Sequence, residues 1–276
     1  MTSELPPQLP LDSPAPASSR FGTVAAASVM AECLRVHADV PPRGALARVF
    51  GRSPLSDESR PWYVGALGEI DVARRLDSLG EGWTVLHSVP IGTRGSDIDH
   101  VVVGASGVFT INTKFHEDAR VWVGSRRLLV NGQAKDHLRN TRFEAARTQK
   151  ILSAAAGTDV PTAGVIAIVG AKQITIREQP ADFAVVDAAR LTRWLKKQPP
   201  RLDQTQTAEL SALVRDATTW TAEPQHEPDI PGFDALHREV VGAKRVRMIW
   251  SAGLLVAVMG VTVPMALGFY GRLLGG

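Results

Sequence analysis

The chain has 276 residues, of which 44% are hydrophobic and 21% charged, and its formal net charge is +3 with an isoelectric point near 9.2. This length suffices for one large domain, or for one domain with appended segments. The single cysteine, Cys33, excludes an intramolecular disulfide and favours a reducing, cytoplasmic setting.

The N-terminal 61 residues do not predict a large folded domain. Residues 1–20 contain repeated prolines but no apolar core of a signal peptide, so we expect a disordered tail. Residues 21–61 predict a short helix, "TVAAASVMAECLRVHADV", followed by a linker that contains glycine and proline. We therefore expect the core domain to begin near Trp62.

The segment "YVGALGEIDVARRLDSLG" predicts the first helix of a domain that we place at residues 62–200. Glu69, Val72, Leu76 and Leu79 recur at helical spacing and share one face. Glu69 is the one carboxylate on this apolar face. A first-turn position near water, favoured by the helix dipole, is the ordinary interpretation, and a functional carboxylate is the alternative.

Two strands joined by "GASG" are predicted within residues 95–116. Because strand side chains alternate between faces, Asp97 and Asp99 share a face of the first strand, and Asn112 and Lys114 share a face of the second. Charged groups on otherwise apolar strands are costly unless they are paired, hydrated or bound to a metal. We therefore expect these side chains to converge on a site for a divalent cation and a phosphate.

The residues after this hairpin predict further strands and helices. "RVWVGSRRLLVNGQ" predicts a smaller hairpin, "AGVIAIVG" a strand buried on both faces, and "QITIRE" and "FAVVD" two short strands. Helices are predicted at "RNTRFEAARTQKILSAAAG" and "AARLTRWLKKQ". This order indicates an α/β fold with a mixed β-sheet and helices on its faces.

Positive charge is concentrated around the first of these two helices. Residues 107–150 contain nine Lys/Arg and four Asp/Glu. Such an excess suits a polyanion, and we predict that Arg142 and Arg147 contact nucleic acid, although an ordinary solvated face explains the pattern equally well. His116, just past the second strand of the main hairpin, is a candidate phosphate contact.

The C-terminal residues indicate a membrane anchor. Residues 248–270 form a segment without a charged side chain. This segment is long enough for a transmembrane helix, although a buried core helix or hairpin is an alternative. Basic residues precede this segment and only Arg272 follows it, so the positive-inside rule places the N-terminal side in the cytoplasm. Residues 201–247 predict a helical, basic tether, and residues 271–276 a short tail.

Three motifs, "GALGE", "SDIDHVVVG" and "GVFTINTK", occur in this order within roughly residues 62–172. Together they resemble the nuclease-related domain, called NERD, of the PD-(D/E)xK nuclease superfamily. The resemblance implies a restriction-endonuclease-like fold and metal-dependent hydrolysis of nucleic acid. Related nucleases sometimes carry an auxiliary polar residue on the second helix, where this chain has Gln149.

The resemblance also implies roles for individual residues. Glu69 and Asp99 would hold Mg²⁺ or Mn²⁺, and Lys114 would be the catalytic lysine. The carboxylate of the (D/E)xK motif is replaced by Asn112, which keeps a carbonyl oxygen for a cation but brings no negative charge. Asp97 is a candidate for the missing charge, and Asn112→Glu is expected to tighten Mg²⁺ binding.

We therefore expect a single-pass membrane protein whose cytoplasmic domain hydrolyses DNA or RNA with Mg²⁺ or Mn²⁺. Two alternatives stay open at this point. One is a module that binds nucleic acid without cutting it, because of Asn112, and the other is a membrane-anchored scaffold in which the polar cluster is structural.

Overall fold

The computed structural model describes residues 21–92, 97–220 and 228–274, so the predicted tail at 1–20 lies outside the described residues. The chain divides into two compact units. The first contains the residues up to Ser28 together with Gly65–Glu227, and the second contains Val29–Val64 and Pro228–Gly276.

The described helices and strands follow the predicted α/β order. The helices are α1 (Ala27–His37), α2 (Ala45–Val49), α3 (Ser59–Leu76), α4 (His137–Ala156), α5 (Leu191–Lys196), α6 (Gln204–Arg215) and α7 (Ile230–Leu274). The strands are β1 (Thr84–Pro90), β2 (Asp97–Gly104), β3 (Gly107–Phe115), β4 (Arg120–Val123), β5 (Leu128–Val130), β6 (Gln133–Lys135), β7 (Thr162–Val169), β8 (Gln173–Ile176) and β9 (Phe183–Asp187). The prediction of a mixed α/β fold is confirmed.

The larger sheet of the first unit has the strand order β1-β2-β3-β7-β9. The pairs β1–β2 and β2–β3 are antiparallel, and the main hairpin turns between Gly104 and Gly107 as predicted. Strands β3 and β7 are parallel because the crossover that contains α4 returns the chain to the end of the sheet at which β3 began, and β7 and β9 are parallel as well. The sheet is therefore mixed.

Apolar clusters cover both faces of this sheet. On one face, Val72 and Leu76 of α3 pack with Phe109 and Ile111 of β3 and with Leu191 of α5. On the other face, buried residues of α4 and α6 pack against β1, β2 and the start of β3; they include Ile151, Leu152 and Val214. Helix α6, which lies within the predicted tether, thus belongs to the core of the first unit.

A second sheet with the order β6-β5-β4-β8 belongs to the same unit. Its hairpin joins β4 to β5 with Val123 opposite Leu128, which confirms the predicted smaller hairpin. Strand β8 pairs in parallel with β4. The buried side chains of this sheet pack on Ile166 and Ile168 of β7, and so brace the strand next to β3.

The second unit is organised around α7. Tyr63 lies 5.8 Å from Phe233 between ring centroids, and its hydroxyl is 2.8 Å from Nδ1 of His237. Arg43 forms an ion pair with Glu239 at 2.8 Å. Helix α7 then continues without a break through Pro264.

Within the described residues, α7 is the one helix long and apolar enough to cross a membrane, with a mean hydropathy of 1.9 in its most apolar window. No residue of that window is buried. The side chains from Arg247 to Ala266 are all exposed, which distinguishes α7 from the core helix of a soluble protein. The predicted apolar segment at 248–270 is part of this longer helix.

Gly51 permits the turn after α2 to lie against α7. Its φ is +64°, and an added Cβ would lie 2.6 Å from the carbonyl oxygen of Ala243 and 2.8 Å from the backbone nitrogen of Arg247. An L side chain at Gly51 would therefore be strained both by its backbone conformation and by contact with main-chain atoms that cannot rotate away.

We predict that Gly51→Ala destabilises the second unit by about 1–3 kcal/mol, from this backbone strain. The matched control is Gly44→Ala at the other end of α2, because Gly44 has a φ of −66° and no atom within 4 Å of an added Cβ. Thermal unfolding of the detergent-solubilised full chain measures both variants. Equal melting temperatures for the two would contradict the packing assigned to Gly51.

Candidate metal-dependent active site

Strands β2 and β3 separate where they carry charged side chains. Their backbone pairing ends at His100 and Ile111. Beyond that pair, Oδ2 of Asp99 accepts a hydrogen bond from the backbone nitrogen of Thr113 at 2.5 Å, in place of a strand partner. The two strands thus open into a fork, which we define by Asp97 and Asp99 on β2 and Asn112 to Lys114 on β3.

Helix α3 brings Glu69 to this fork, and Glu69 is only 7% exposed. An added Cβ at the neighbouring Gly68 would be 3.1 Å from Cβ of Phe115, so the glycine allows α3 to lie close to β3. Burial raises the pKa of Glu69 well above its usual range, and the nearby Asp99 and Asp97 raise it further. The predicted helical stripe is confirmed, and its carboxylate is buried.

The two aspartates of β2 differ in their contacts. Oδ2 of Asp97 accepts a hydrogen bond from Oγ of Ser28 at 2.6 Å. Burial raises the pKa of Asp99 to about 6, although Lys114 and the backbone N–H of Thr113 both oppose the shift. Asp99 is therefore held in a desolvated position that favours its neutral form.

A fourth carboxylate, Glu144 on α4, was not among the residues expected from the sequence. Its two carboxylate oxygens lie 2.6 Å and 2.7 Å from Nδ2 of Asn112. Burial raises the pKa of Glu144 to about 7, and Asp99 adds to the shift. A sequence signal existed, because Glu144 follows the buried Thr141 by three residues and precedes the buried Thr148 by four.

The donor atoms at the fork suit a hard divalent cation. Carboxylate and amide oxygens are the ligands that Mg²⁺ and Mn²⁺ prefer. Asn112 is 3% exposed and its Oδ1 is buried without a hydrogen-bond partner, although buried polar atoms nearly always have one. A cation would satisfy this oxygen. No group of three His, Cys, Asp or Glu side chains in the described ranges has the spacing of a metal centre.

Residues 64–169 match the family model of the nuclease-related domain, NERD. This match confirms the resemblance drawn from the three sequence motifs. It covers Glu69, both strands of the fork and Glu144, and it ends with β7. No curated protein and no solved structure matches the chain.

His116, which lies within the residues that match NERD, is beside a second histidine. Its Nε2 is 3.3 Å from Nε2 of His137, at the start of α4. Burial, and then Lys114, lower the pKa of both rings, that of His137 to about 4. A phosphate contact by His116 stays a prediction, and a neutral ring would provide an N–H donor rather than a charge.

The other predicted nucleic-acid contacts have protein partners in the structure. Arg142 pairs with Asp182 at 2.5 Å, and Nε of Arg147 is 3.3 Å from the carbonyl oxygen of Ile91, just after β1. Gln149 donates a hydrogen bond to Asp159 at 3.0 Å. This contact lies at the end of the sheet where β3 begins, whereas Lys114 lies at the opposite end of β3. The structure therefore gathers Glu69, Asp97, Asp99, Asn112 and Lys114 but does not bring Gln149 to them.

The raised pKa of Asp99 predicts a pH-dependent stability. A group whose pKa is higher in the folded than in the unfolded state contributes stability that is fully present below the unfolded-state pKa; for Asp99 this contribution is lost as the pH rises from its usual pKa of 3.8 to about 6. Asn mimics the protonated carboxyl. The stability advantage of Asp99→Asn over the wild type should therefore be larger at pH 8 than at pH 5, by on the order of 1 kcal/mol.

Thermal melts of both proteins in EDTA at the two pH values measure this difference. Comparison at each pH cancels the opposite contribution of the buried histidines, whose pKa values are lowered. A stability gain that is equal at pH 5 and pH 8 would show that the ionisation of Asp99 carries no cost in the folded chain.

Proposed function

We propose that this chain is a membrane-tethered nuclease that hydrolyses phosphodiester bonds of nucleic acid with Mg²⁺ or Mn²⁺. The observation that carries the proposal is the convergence of Glu69, Asp99, Asn112 and Lys114 at one fork inside the NERD match. An acidic, desolvated cluster beside a lysine has little structural benefit, because Asp97 and Asp99 raise the pKa values of both Glu69 and Glu144.

The carboxylates of Glu69 and Asp99 and the Oδ1 atom of Asn112 would hold the cation, with Asp97 as a further acidic neighbour. When bound, the ion supplies a Lewis acid that polarises the phosphodiester and acidifies a water molecule. The backbone N–H of Thr113 fixes the Asp99 carboxylate in place, so this ligand is oriented before a cation arrives.

Lys114 has a different role from the acidic residues. It lies on the same face of β3 as Asn112 and lowers the pKa values of Glu69, Asp99 and Glu144, so its ammonium is within electrostatic range of all three. From this position its Nζ would orient the attacking water or stabilise the negative charge that develops on the phosphate.

The remaining parts of the proposal concern the substrate and the location. A nuclease-like domain supports nucleic acid as the substrate, and the local excess of positive charge at residues 107–150 supports polyanion binding, with His116, Arg142 and Arg147 as proposed contacts. The exposed apolar length of α7 supports a membrane anchor. The basic residues before it support a cytoplasmic N-terminal side.

We predict that the full chain in detergent cleaves plasmid or single-stranded DNA or RNA only when Mg²⁺ or Mn²⁺ is added. Asp99→Ala should abolish both calorimetric Mn²⁺ binding and cleavage. Lys114→Ala should leave Mn²⁺ binding within about threefold of the wild type but lower the cleavage rate about 100-fold or more, because the charge acts in the transition state.

Lys172→Ala is the matched control, since Lys172 is an exposed lysine in the loop after β7. It should cleave like the wild type. Wild-type protein that binds Mn²⁺ and nucleic acid without cleaving would identify a binding module instead of a nuclease. Wild-type protein that binds no cation would leave the fork without the role proposed for it.

A further inference from the structure

The contact between Asn112 and Glu144 places a carboxylate next to the position on β3 where the (D/E)xK motif would have one. Ionised glutamate is a hydrogen-bond acceptor only, whereas an asparagine amide has a donor side and an acceptor side. Both oxygens of Glu144 lie within 2.7 Å of Nδ2 of Asn112. The opposite amide orientation would place its carbonyl oxygen against two carboxylate oxygens, so Glu144 selects the orientation that turns Oδ1 away from α4.

The consequence for Oδ1 is visible in the structure. This atom is buried, and no group in the described part of the chain donates to it. A buried acceptor that is held in one orientation and left without a donor is suited to a cation. Asn112 alone would be a neutral ligand, but the pair that it forms with an ionised Glu144 carries one negative charge.

We propose that Glu144 is a positioning residue for the cation: from α4 it supplies the negative charge that Asn112 does not carry, and it fixes Oδ1 of Asn112 as a ligand. This inference rests on the proposed function, because it assumes that the fork binds a divalent cation. The two functions of the carboxylate in the (D/E)xK motif are thereby divided: Asn112 on β3 provides the ligand oxygen, and Glu144 on α4 provides the negative charge.

The proposal changes the expectation for a carboxylate at position 112. A carboxylate on β3 would meet Glu144 where the amide nitrogen now lies, and the two like charges would repel. The gain in Mg²⁺ affinity that the sequence predicts for Asn112→Glu therefore requires neutralisation of Glu144 at the same time. Asn112→Asp together with Glu144→Gln exchanges the two groups and preserves both the hydrogen bond and the charge.

Calorimetric Mn²⁺ titration of the full chain tests the pair, with thermal melts in EDTA alongside. Glu144→Gln should weaken Mn²⁺ binding about 10- to 100-fold, the usual loss when a group that orients a ligand is removed. The double variant Asn112→Asp/Glu144→Gln should return to within about threefold of the wild type. Asn112→Asp alone should melt at a lower temperature than the double variant.

Glu209→Gln, an exposed glutamate on α6, is the control and should bind like the wild type. Equal Mn²⁺ affinity of Glu144→Gln and the wild type would overturn the inference and leave the proposed function intact. Failure of the double variant to recover affinity, when both single variants have lost it, would also overturn it. No Mn²⁺ binding by the wild type itself would instead reject the proposed function.

A second inference concerns the second unit and rests on an independent observation. The apolar side chains of α2 and the residue after it point into solvent: Leu46 is 74% exposed and Phe50 57%. Phe50 packs on Trp250 of α7 at 5.5 Å between ring centroids, and Nε1 of Trp250 donates to the carbonyl oxygen of Val49 at 2.8 Å. The exposed patch is thus continuous with the apolar part of α7.

The exposed arginines around this apolar patch indicate what kind of surface would cover it. Arg48 and Arg52 are exposed beside it, and Arg245 and Arg247 lie on α7 immediately before the apolar residues. Apolar side chains rimmed by arginines match the boundary between acyl chains and anionic headgroups. We propose that α2 lies in the headgroup region of the bilayer that α7 crosses, with Leu46 and Phe50 inserted; this rests on the membrane part of the proposed function.

Spin labels test this placement in the full chain, reconstituted into nanodiscs of anionic lipid. Labels are attached at Leu46→Cys and Phe50→Cys in a Cys33→Ala background, with Leu254→Cys in α7 and Trp122→Cys on β4 as controls. The labels at 46 and 50 should be accessible to oxygen and protected from a water-soluble nickel chelate, like the label at 254 and unlike the label at 122.

Three other outcomes would overturn the proposal. Nickel access at 46 and 50 that equals access at 122, while 254 stays protected, would place α2 in water. Dipolar broadening between labels at 50 would show that a second copy of the chain covers the patch. Nickel access at 254 as well would show that α7 does not cross the bilayer, which rejects the membrane part of the proposed function itself.

Discussion

Repulsion among carboxylates at the fork, where β2 begins and β3 ends, is the constraint on which the arrangement of the first unit depends. Glu69, Asp97, Asp99 and Glu144 reach the fork from two helices and one strand, and each is within electrostatic range of others. Such a cluster persists only because its positions are fixed by independent packing. Buried side chains hold the apolar sides of α3 and α4 on opposite faces of the sheet. This packing fixes the positions of Glu69 and Glu144 at the fork despite the repulsion between them.

Much of this architecture is readable from the sequence because it depends on local periodicity. The stripe that contains Glu69 and Val72 predicts α3, and alternation along β2 and β3 places Asp99, Asn112 and Lys114 on a common face. The hairpin turn at Gly104–Gly107 follows from turn chemistry. His100 is fully buried and packs against His87, as expected for the strand face opposite Asp99.

The features that the sequence did not predict depend on contacts between distant segments. The parallel pairing of β8 with β4 and the packing of α6 on the main sheet join residues about 50 or more positions apart, and no local pattern specifies them. Glu144 was missed for a related reason. The arginines of α4 indicate a basic surface and give no sign of a buried carboxylate. Glu144 borders the buried face of α4, which Thr141, Ala145 and Thr148 form.

The division of the motif between Asn112 and Glu144 has a consequence for folding as well as for chemistry. In the absence of a cation, burial favours the neutral forms of Glu69, Asp99 and Glu144, so ionisation near neutral pH lowers the stability of the fork. A cation that binds the folded chain but not the unfolded chain reverses this effect and stabilises the fold by RT ln(1 + [L]/Kd). The carboxylates that weaken the apo domain would then strengthen the loaded one. An amide at position 112 reduces the repulsion on β3, while Glu144 keeps the charge nearby on a separate helix.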